Sequence, residues 1–215
     1  MRLQKDAADA DKTPGYPLQN PLVYNKALDS ITEDDNLKLI VVADNPGKDE
    51  QRDENCRYLV GQAGKIGDGF FRRHPELEID FRKNVIILNK TPIHTAKTKQ
   101  LASLLKNGGE RFRLLFEETQ RWMARETAAL QNELACDLWL VGYGELRTKG
   151  LFTVYADELA ARYRNSGVED CVFVYQHFSM NCFSIDLNRQ YNRALNLTEN
   201  LRHVGLLHRK EILGW

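Results

Sequence analysis

Cysteine is scarce and scattered in this chain. Its four residues, Cys56, Cys136, Cys171 and Cys182, form no Cys-x-x-Cys pair, which argues against a zinc knuckle or a dithiol redox motif. Cys136 and Cys171 open two predicted strands; they are either neighbours able to pair or, as expected in a reducing compartment, buried thiols. Net charge is also missing: 30 basic residues balance 30 acidic ones, so any affinity for nucleic acid has to come from a local patch. No apolar run approaches the roughly 20 residues of a membrane span. The opening Met1-Arg2-Leu3-Gln4-Lys5-Asp6 lacks the apolar core of a secretion signal, so a cytoplasmic protein without a membrane partner is expected. No repeat, low-complexity tract or linker divides the 215 residues, which suit one domain over 1–215. Residues 1–17 are polar, and Pro14, Gly15 and Pro17 punctuate a segment expected to be flexible.

What is present is organised around Leu39 to Gly64. The run Leu39-Ile40-Val41-Val42-Ala43 reads as a strand buried on both faces. It breaks at Asp44-Asn45-Pro46-Gly47, because Pro46 cannot donate to a ladder and Gly47 permits positive φ. Further apolar runs predict strands near 85–89, 138–142 and 171–176, after the first at 38–43. Between them lie helical patterns: 65–74 with Ile66, Phe70 and Phe71 on one side, 98–105 ended by Gly108-Gly109, 110–134, and 153–163. In 110–134 the residues Phe112, Leu115, Phe116, Thr119, Trp122, Met123, Leu130 and Leu134 follow helical spacing and are expected to face the core. The segment 187–207 is expected to be largely helical, with Leu195, Leu201 and Val204 inward. Strands alternating with helices imply a three-layer αβα domain with a central four-stranded parallel sheet.

In such a sheet ligands gather at the carboxyl ends of the strands. Asp44 and Asn45, Asn89, and His177 all fall at those ends and are expected to line one cleft. Each also has a plainer reading as a turn, cap or surface residue.

The ordered pair Ala43-Asp44-Asn45-Pro46-Gly47 and Leu59-Val60-Gly61-Gln62-Ala63-Gly64 resembles two motifs of the uracil-DNA glycosylase superfamily. Leu88-Asn89 and Val174-Tyr175-Gln176-His177-Phe178-Ser179 stand where that family carries a strand-terminal Asn and a His-Pro-Ser segment. The matches run through residues 39–185, and Ala43, Leu59 and Phe178 depart from the family pattern. The resemblance implies a glycosylase that hydrolyses the N-glycosidic bond of uracil or a related damaged base in DNA. Asn45 would orient the attacking water, Asp44 would place negative charge near the sugar or point away as a turn residue, and His177 would hydrogen-bond the charge growing on uracil O2. Asn89 would read the base edge. Pro46, Gly47 and Ser179 would complete the pocket, and Tyr58 would stack on the base.

The base must leave the duplex to reach such a pocket. Phe178 or Met180 either acts as an apolar wedge or packs in the core. Lys90, Lys97 and Lys99 follow Asn89 and are expected at DNA phosphates, with other basic groups such as Arg72-Arg73 more distant. The iron–sulfur branch of the family has a Cys where Lys90-Thr91-Pro92 stands here, so no cofactor and no metal are expected, and the chain is expected to be monomeric. Gly61-Gln62-Ala63-Gly64-Lys65-Ile66 has the wrong spacing for a P-loop, and Arg147 breaks the dinucleotide pattern begun by Gly142-Tyr143-Gly144. The alternative function is a non-catalytic relative that binds nucleic acid or a protein through the same cleft.

Overall fold

The computed structural model describes residues 15–164 and 167–215. Most of the segment expected to be flexible, residues 1–14, lies outside them. Residues 16 and 17 are held in place: the Tyr16 hydroxyl is 2.7 Å from His94 Nε2, and the Pro17 carbonyl accepts from Gln51 Nε2 at 3.1 Å.

The strands β1 (Leu39–Ala43), β2 (Val85–Asn89), β3 (Asp137–Val141) and β4 (Val172–Tyr175) form one all-parallel sheet in the order β2-β1-β3-β4. Six α-helices join or follow them: α1 (Gln62–Arg73), α2 (Lys99–Asn107), α3 (Gly109–Leu134), α4 (Thr153–Tyr163), α5 (Cys182–Arg189) and α6 (Leu197–Leu213). Because strand side chains alternate, the sheet feeds two cores. Ile40, Val42, Leu138, Leu140, Val172 and Val174 pack with α3 and α4, whereas Val41, Trp139, Val141, Phe173 and Tyr175 pack with α1, α5 and α6. The expected strand positions and the three-layer parallel architecture are present.

Two expectations about the helices change. Trp122 is 48% exposed on α3, and Leu130 and Leu134 are only partly buried, so the inward stripe is narrower than the spacing implied. The segment expected to be largely helical over 187–207 falls in two helices, parted between Arg189 and Leu197. The second begins with a reciprocal cap: Asn196 Oδ1 accepts from the Glu199 amide at 2.9 Å, and Glu199 Oε2 accepts from the Asn196 amide at 2.8 Å. That Asn-x-x-Glu signal stands in the sequence. Leu201 and Val204 are buried as expected, and Leu195 in the break is only partly so.

All four cysteines are free thiols. Cys136 and Cys171 are brought close at one end of β3 and β4, where Gln131 Nε2 donates to both of their carbonyls. Burial pushes the Cys136 thiol up to about 11. No helix among the described residues is long and apolar enough to cross a membrane.

The connections determine where a crevice can form. From β1 the chain passes to α1 on one face, and from β3 to α4 on the other. The connections that leave neighbouring strands β1 and β3 therefore diverge at the carboxyl ends, the position that binds ligands in open α/β sheets.

Candidate functional site

A lysine crosses this divergence. Lys90, the first residue after β2, is fully buried, and its Nζ donates to Asp44 Oδ1 at 2.7 Å and to the Val141 carbonyl at 2.6 Å. One ammonium thus ties together the ends of β1, β2 and β3. Its charge also lies 5.4 Å from the centre of the Phe152 ring. Burial lowers the affinity of Lys90 for its proton, while the Asp44 carboxylate opposes that shift. Gly142 completes the arrangement with φ +89°, where a Cβ would stand 2.4 Å from Asp44 Oδ1. The expectation that Lys90 meets DNA phosphate is therefore corrected: the side chain has no route to solvent. Asp44 likewise turns inward, so its charge is matched by Lys90 and is not free to face a sugar. Its Oδ2 lies 3.5 Å from the Thr98 hydroxyl, and Lys97 and Lys99 flank that threonine as exposed residues.

Asn45 is oriented by its surroundings. Its Nδ2 donates to Thr95 Oγ1 at 2.9 Å and has the carbonyls of Pro46, Ile93 and Thr95 at 3.3–3.4 Å. Only an amide nitrogen satisfies four oxygens, so the opposite end is the oxygen. That Oδ1 has no protein partner among the described residues. The Pro46 carbonyl is fixed by the Thr95 amide at 3.2 Å and by His94 Nδ1 at 2.8 Å. A carbonyl cannot donate, so His94 carries a proton on Nδ1. The Gly47 amide, expected to face a ligand, donates instead to Glu50 Oε2 at 3.1 Å.

Asn89 ends β2 and is 1% exposed. Its Oδ1 and Nδ2 are both enclosed, and among the described residues neither has a protein hydrogen-bond partner. Leaving such groups unmade costs about 1–3 kcal/mol each. By strand alternation Asn89 continues the side of Val85 and Ile87, and Lys90 the side of Ile86 and Leu88.

His177 follows β4. Its Nδ1 lies 3.1 Å from the Ser179 amide and 2.8 Å from the Ser179 hydroxyl. The backbone N–H can only donate, so Nδ1 accepts and the ring proton sits on Nε2. Ser179 thus sets the tautomer. Burial lowers the imidazole pKa, the Lys90 charge lowers it further, and the Asp44 carboxylate acts against both. A nitrogen-detected NMR titration is therefore expected to show the Nε2–H tautomer at pH 7 and protonation below the ordinary histidine range. Folding stability should fall as pH drops through that range, because the unfolded chain takes up the proton first. An Nδ1–H tautomer would refute the assignment.

Two aromatic expectations are corrected. Tyr58 is buried, and its hydroxyl donates to the Val23 carbonyl at 2.7 Å, so it has no free face for a base. Phe178 packs fully inside against Phe81 and Phe183, so it is a core residue and not a wedge. Met180 is the opposite case: it is 81% exposed. It and Asn181 both lie in the left-handed region, at φ 53° and 58°, a conformation that costs a non-glycine residue energy.

No protein-family model matches the chain, and no curated protein matches it. The chemistry of the edge follows from its own atoms. Groups here without a protein partner among the described residues include the Asn89 amide, Asn45 Oδ1 and His177 Nε2, all neutral and all suited to hydrogen-bonding a heterocycle. A cavity of about 800 Å³ between α1 and α5, lined by Gln62, Ile66, Arg73, Asn188 and Tyr191 among others, includes none of them. Sequence reasoning missed Glu50 and His94: no pattern marks one charged residue of a polar loop, or one loop histidine, as buried.

Proposed function

We propose that this chain is a divergent member of the uracil-DNA glycosylase superfamily that hydrolyses the N-glycosidic bond of uracil or a related damaged base in DNA. The observation that supports it best is the Asn89 amide, enclosed at the sheet edge with both polar atoms lacking a protein partner among the described residues. Such an amide offers one donor and one acceptor side by side, which complements O4 and N3–H of uracil. Base entry requires the groups that enclose it to move aside.

In this reading the C1′–N1 bond breaks with its electron pair passing to the base. The neutral His177 donates Nε2–H to O2 as charge develops there, an interaction strongest in the transition state. Asn45 Oδ1 accepts a hydrogen bond from water, whose oxygen bonds to C1′ and whose proton is released to solvent. A carboxamide orients water but is a poor base, so slow turnover is expected. The Asp44–Lys90 pair holds the strand ends together and contributes no net charge. Lys97 and Lys99 meet phosphates, and Met180 occupies the gap left by the extruded base.

The non-catalytic reading draws on one observation. Asp44, the carboxylate at the end of β1, is paired with Lys90 and so is not free to take a proton from water. The two readings part in an assay of base release from uracil-containing single- and double-stranded oligonucleotides. Release of free uracil is expected. Binding of those oligonucleotides without release of any deaminated or alkylated base would favour the non-catalytic one.

A further inference from the structure

We propose that a cavity along the outer edge of β2 binds the phosphate group of a small organic ligand, at the opposite end of that strand from Asn89. The assignment does not depend on the glycosylase reading. β2 is an edge strand, and a cavity of about 400 Å³ lies beside Val85, Ile86 and Ile87, between the 3₁₀ turn Lys26–Ser30 and the loop at 55–58. That volume falls within the range of small-molecule sites. Four cations line it: Lys26, Arg57, Arg82 and Lys83. Among the described residues none of them is paired with a carboxylate, whereas Arg72, Arg113, Arg121, Arg147 and Arg162 each are. The acidic side chain of the lining, Asp35, is committed to its own turn: its Oδ2 accepts from the Thr32 amide at 2.8 Å and from the Thr32 hydroxyl at 3.1 Å. In a chain of zero net charge, unpaired cations that converge on one concavity make a local field for an anion.

Arg82 is an independent observation. Its Nη2 donates to the Leu59 carbonyl at 2.7 Å, and its guanidinium lies 5.0 Å from the centre of the Phe81 ring, so the head group is held in place. Its Nη1 is enclosed and has no acceptor among the described residues. The carboxylates nearest to hand are engaged elsewhere: Asp68 Oδ2 meets Arg72 Nη2 at 2.6 Å, and Glu50 Oε2 accepts from the Gly47 amide at 3.1 Å. Burial disfavours the Arg82 charge and the charge of Arg57 disfavours it further, while the Asp68 and Glu50 carboxylates act against both.

A guanidinium fixed in this way presents its remaining N–H groups as a planar fork, which matches the paired oxygens of a phosphate. In the bound state those oxygens accept from Arg82 and Arg57, and the exposed Lys26 and Lys83 supply charge from the rim. Binding requires the groups that cover Arg82 Nη1 to move aside. The lining also includes the apolar Leu28, Ile31 and Leu37, which suit an apolar or aromatic body attached to the phosphate. A concave site with apolar walls differs from the basic stripe along which a nucleic-acid backbone runs.

The test is an NMR titration of the ¹⁵N-labelled full chain with three probes: phenyl phosphate, inorganic phosphate and phenol. Phenyl phosphate should saturate, shifting the amides of Arg57, Arg82, Lys83 and Ile87 while those of Asn45, Asn89 and His177 stay in place. Inorganic phosphate should move the same amides with about tenfold weaker affinity, since it lacks the apolar body. Phenol should move none of them. Arg57→Gln and Arg82→Lys should each weaken phenyl phosphate binding about tenfold or more. Arg125→Gln, which removes an exposed cation of α3, should leave it unchanged. Arg82 also supports the Leu59 carbonyl, so Arg57→Gln decides the matter if Arg82→Lys fails to fold. The proposal is overturned if no probe saturates, if phenol or inorganic phosphate binds as tightly as phenyl phosphate, or if Arg57→Gln and Arg125→Gln lose affinity equally. Displacement of phenyl phosphate by a duplex oligonucleotide without terminal phosphates would overturn it too, by making the patch a nucleic-acid contact.

Discussion

Replacing Lys90 with methionine is expected to remove about 3–5 kcal/mol of folding stability, enough to lower the melting temperature by about 6–20 °C. The reason is asymmetric. Methionine fills much of the same volume, but it leaves the mostly buried Asp44 carboxylate with the Thr98 hydroxyl, at 3.5 Å, as its remaining side-chain hydrogen-bond partner among the described residues. It also strands the Val141 carbonyl, which accepts from the same ammonium. One control separates charge from packing: the double variant Lys90→Met, Asp44→Asn should recover most of the loss. Denaturant melts of the wild type, the single variants Lys90→Met and Asp44→Asn, and the double variant measure the coupling directly. A single variant within 1 kcal/mol of wild type would mean that Lys90 is merely tolerated at this position.

Asn89→Leu should do the reverse: it should stabilise the protein and silence it. Leucine has the same branching as asparagine but no polar atoms, so the two unmade hydrogen bonds disappear. After some crowding by the larger side chain, a net gain of about 1–3 kcal/mol is expected. On the proposed glycosylase reading, release of uracil should fall by at least about 100-fold, since the base edge then meets an apolar wall. Asn89→Asp, which exchanges the donor for an acceptor, should lose uracil release as well while retaining the fold. Both measurements are needed, because gained stability with lost activity marks a residue kept for binding. A leucine variant that is destabilised, or one that still releases uracil at the wild-type rate, would remove Asn89 from the base-reading role.

The frame of this site was legible because buried strands announce themselves. Leu39–Ala43, Val85–Asn89, Asp137–Val141 and Val172–Tyr175 are short apolar runs, and alternation with helical patterns leaves a parallel sheet as the way to bury them. Carboxyl-end residues could then be placed on one edge without knowledge of any contact. What the pattern could not supply was the direction of each polar side chain. Lys90 reads as a surface lysine because lysines are rarely buried, and only the turn after β1 brings a carboxylate to meet it. Tyr58 and Phe178 carry rings that serve equally well in a pocket or in a core. Their burial is decided by Val23, Phe81 and Phe183, all distant in sequence. Trp122 follows the inward helical spacing yet is 48% exposed, because a helix on a sheet buries a stripe and not half of its circumference.

The strand order also bears on how the chain comes off the ribosome. Ala43 and its neighbours in β1 form the most apolar strand and sit in the middle of the sheet, yet they are synthesised first. One flank of β1 waits for β2, and the other for β3, where Leu39 aligns with Asp137 and Val42 with Leu140. Until α3 and β3 have emerged, a sticky strand stands with an open edge, and no local hairpin can shield it. Parallel pairing over such separations is slow, since loop closure must precede any gain from contact. During that interval the open strand edge invites pairing with other copies, a hazard that the stability of the finished sheet does nothing to remove.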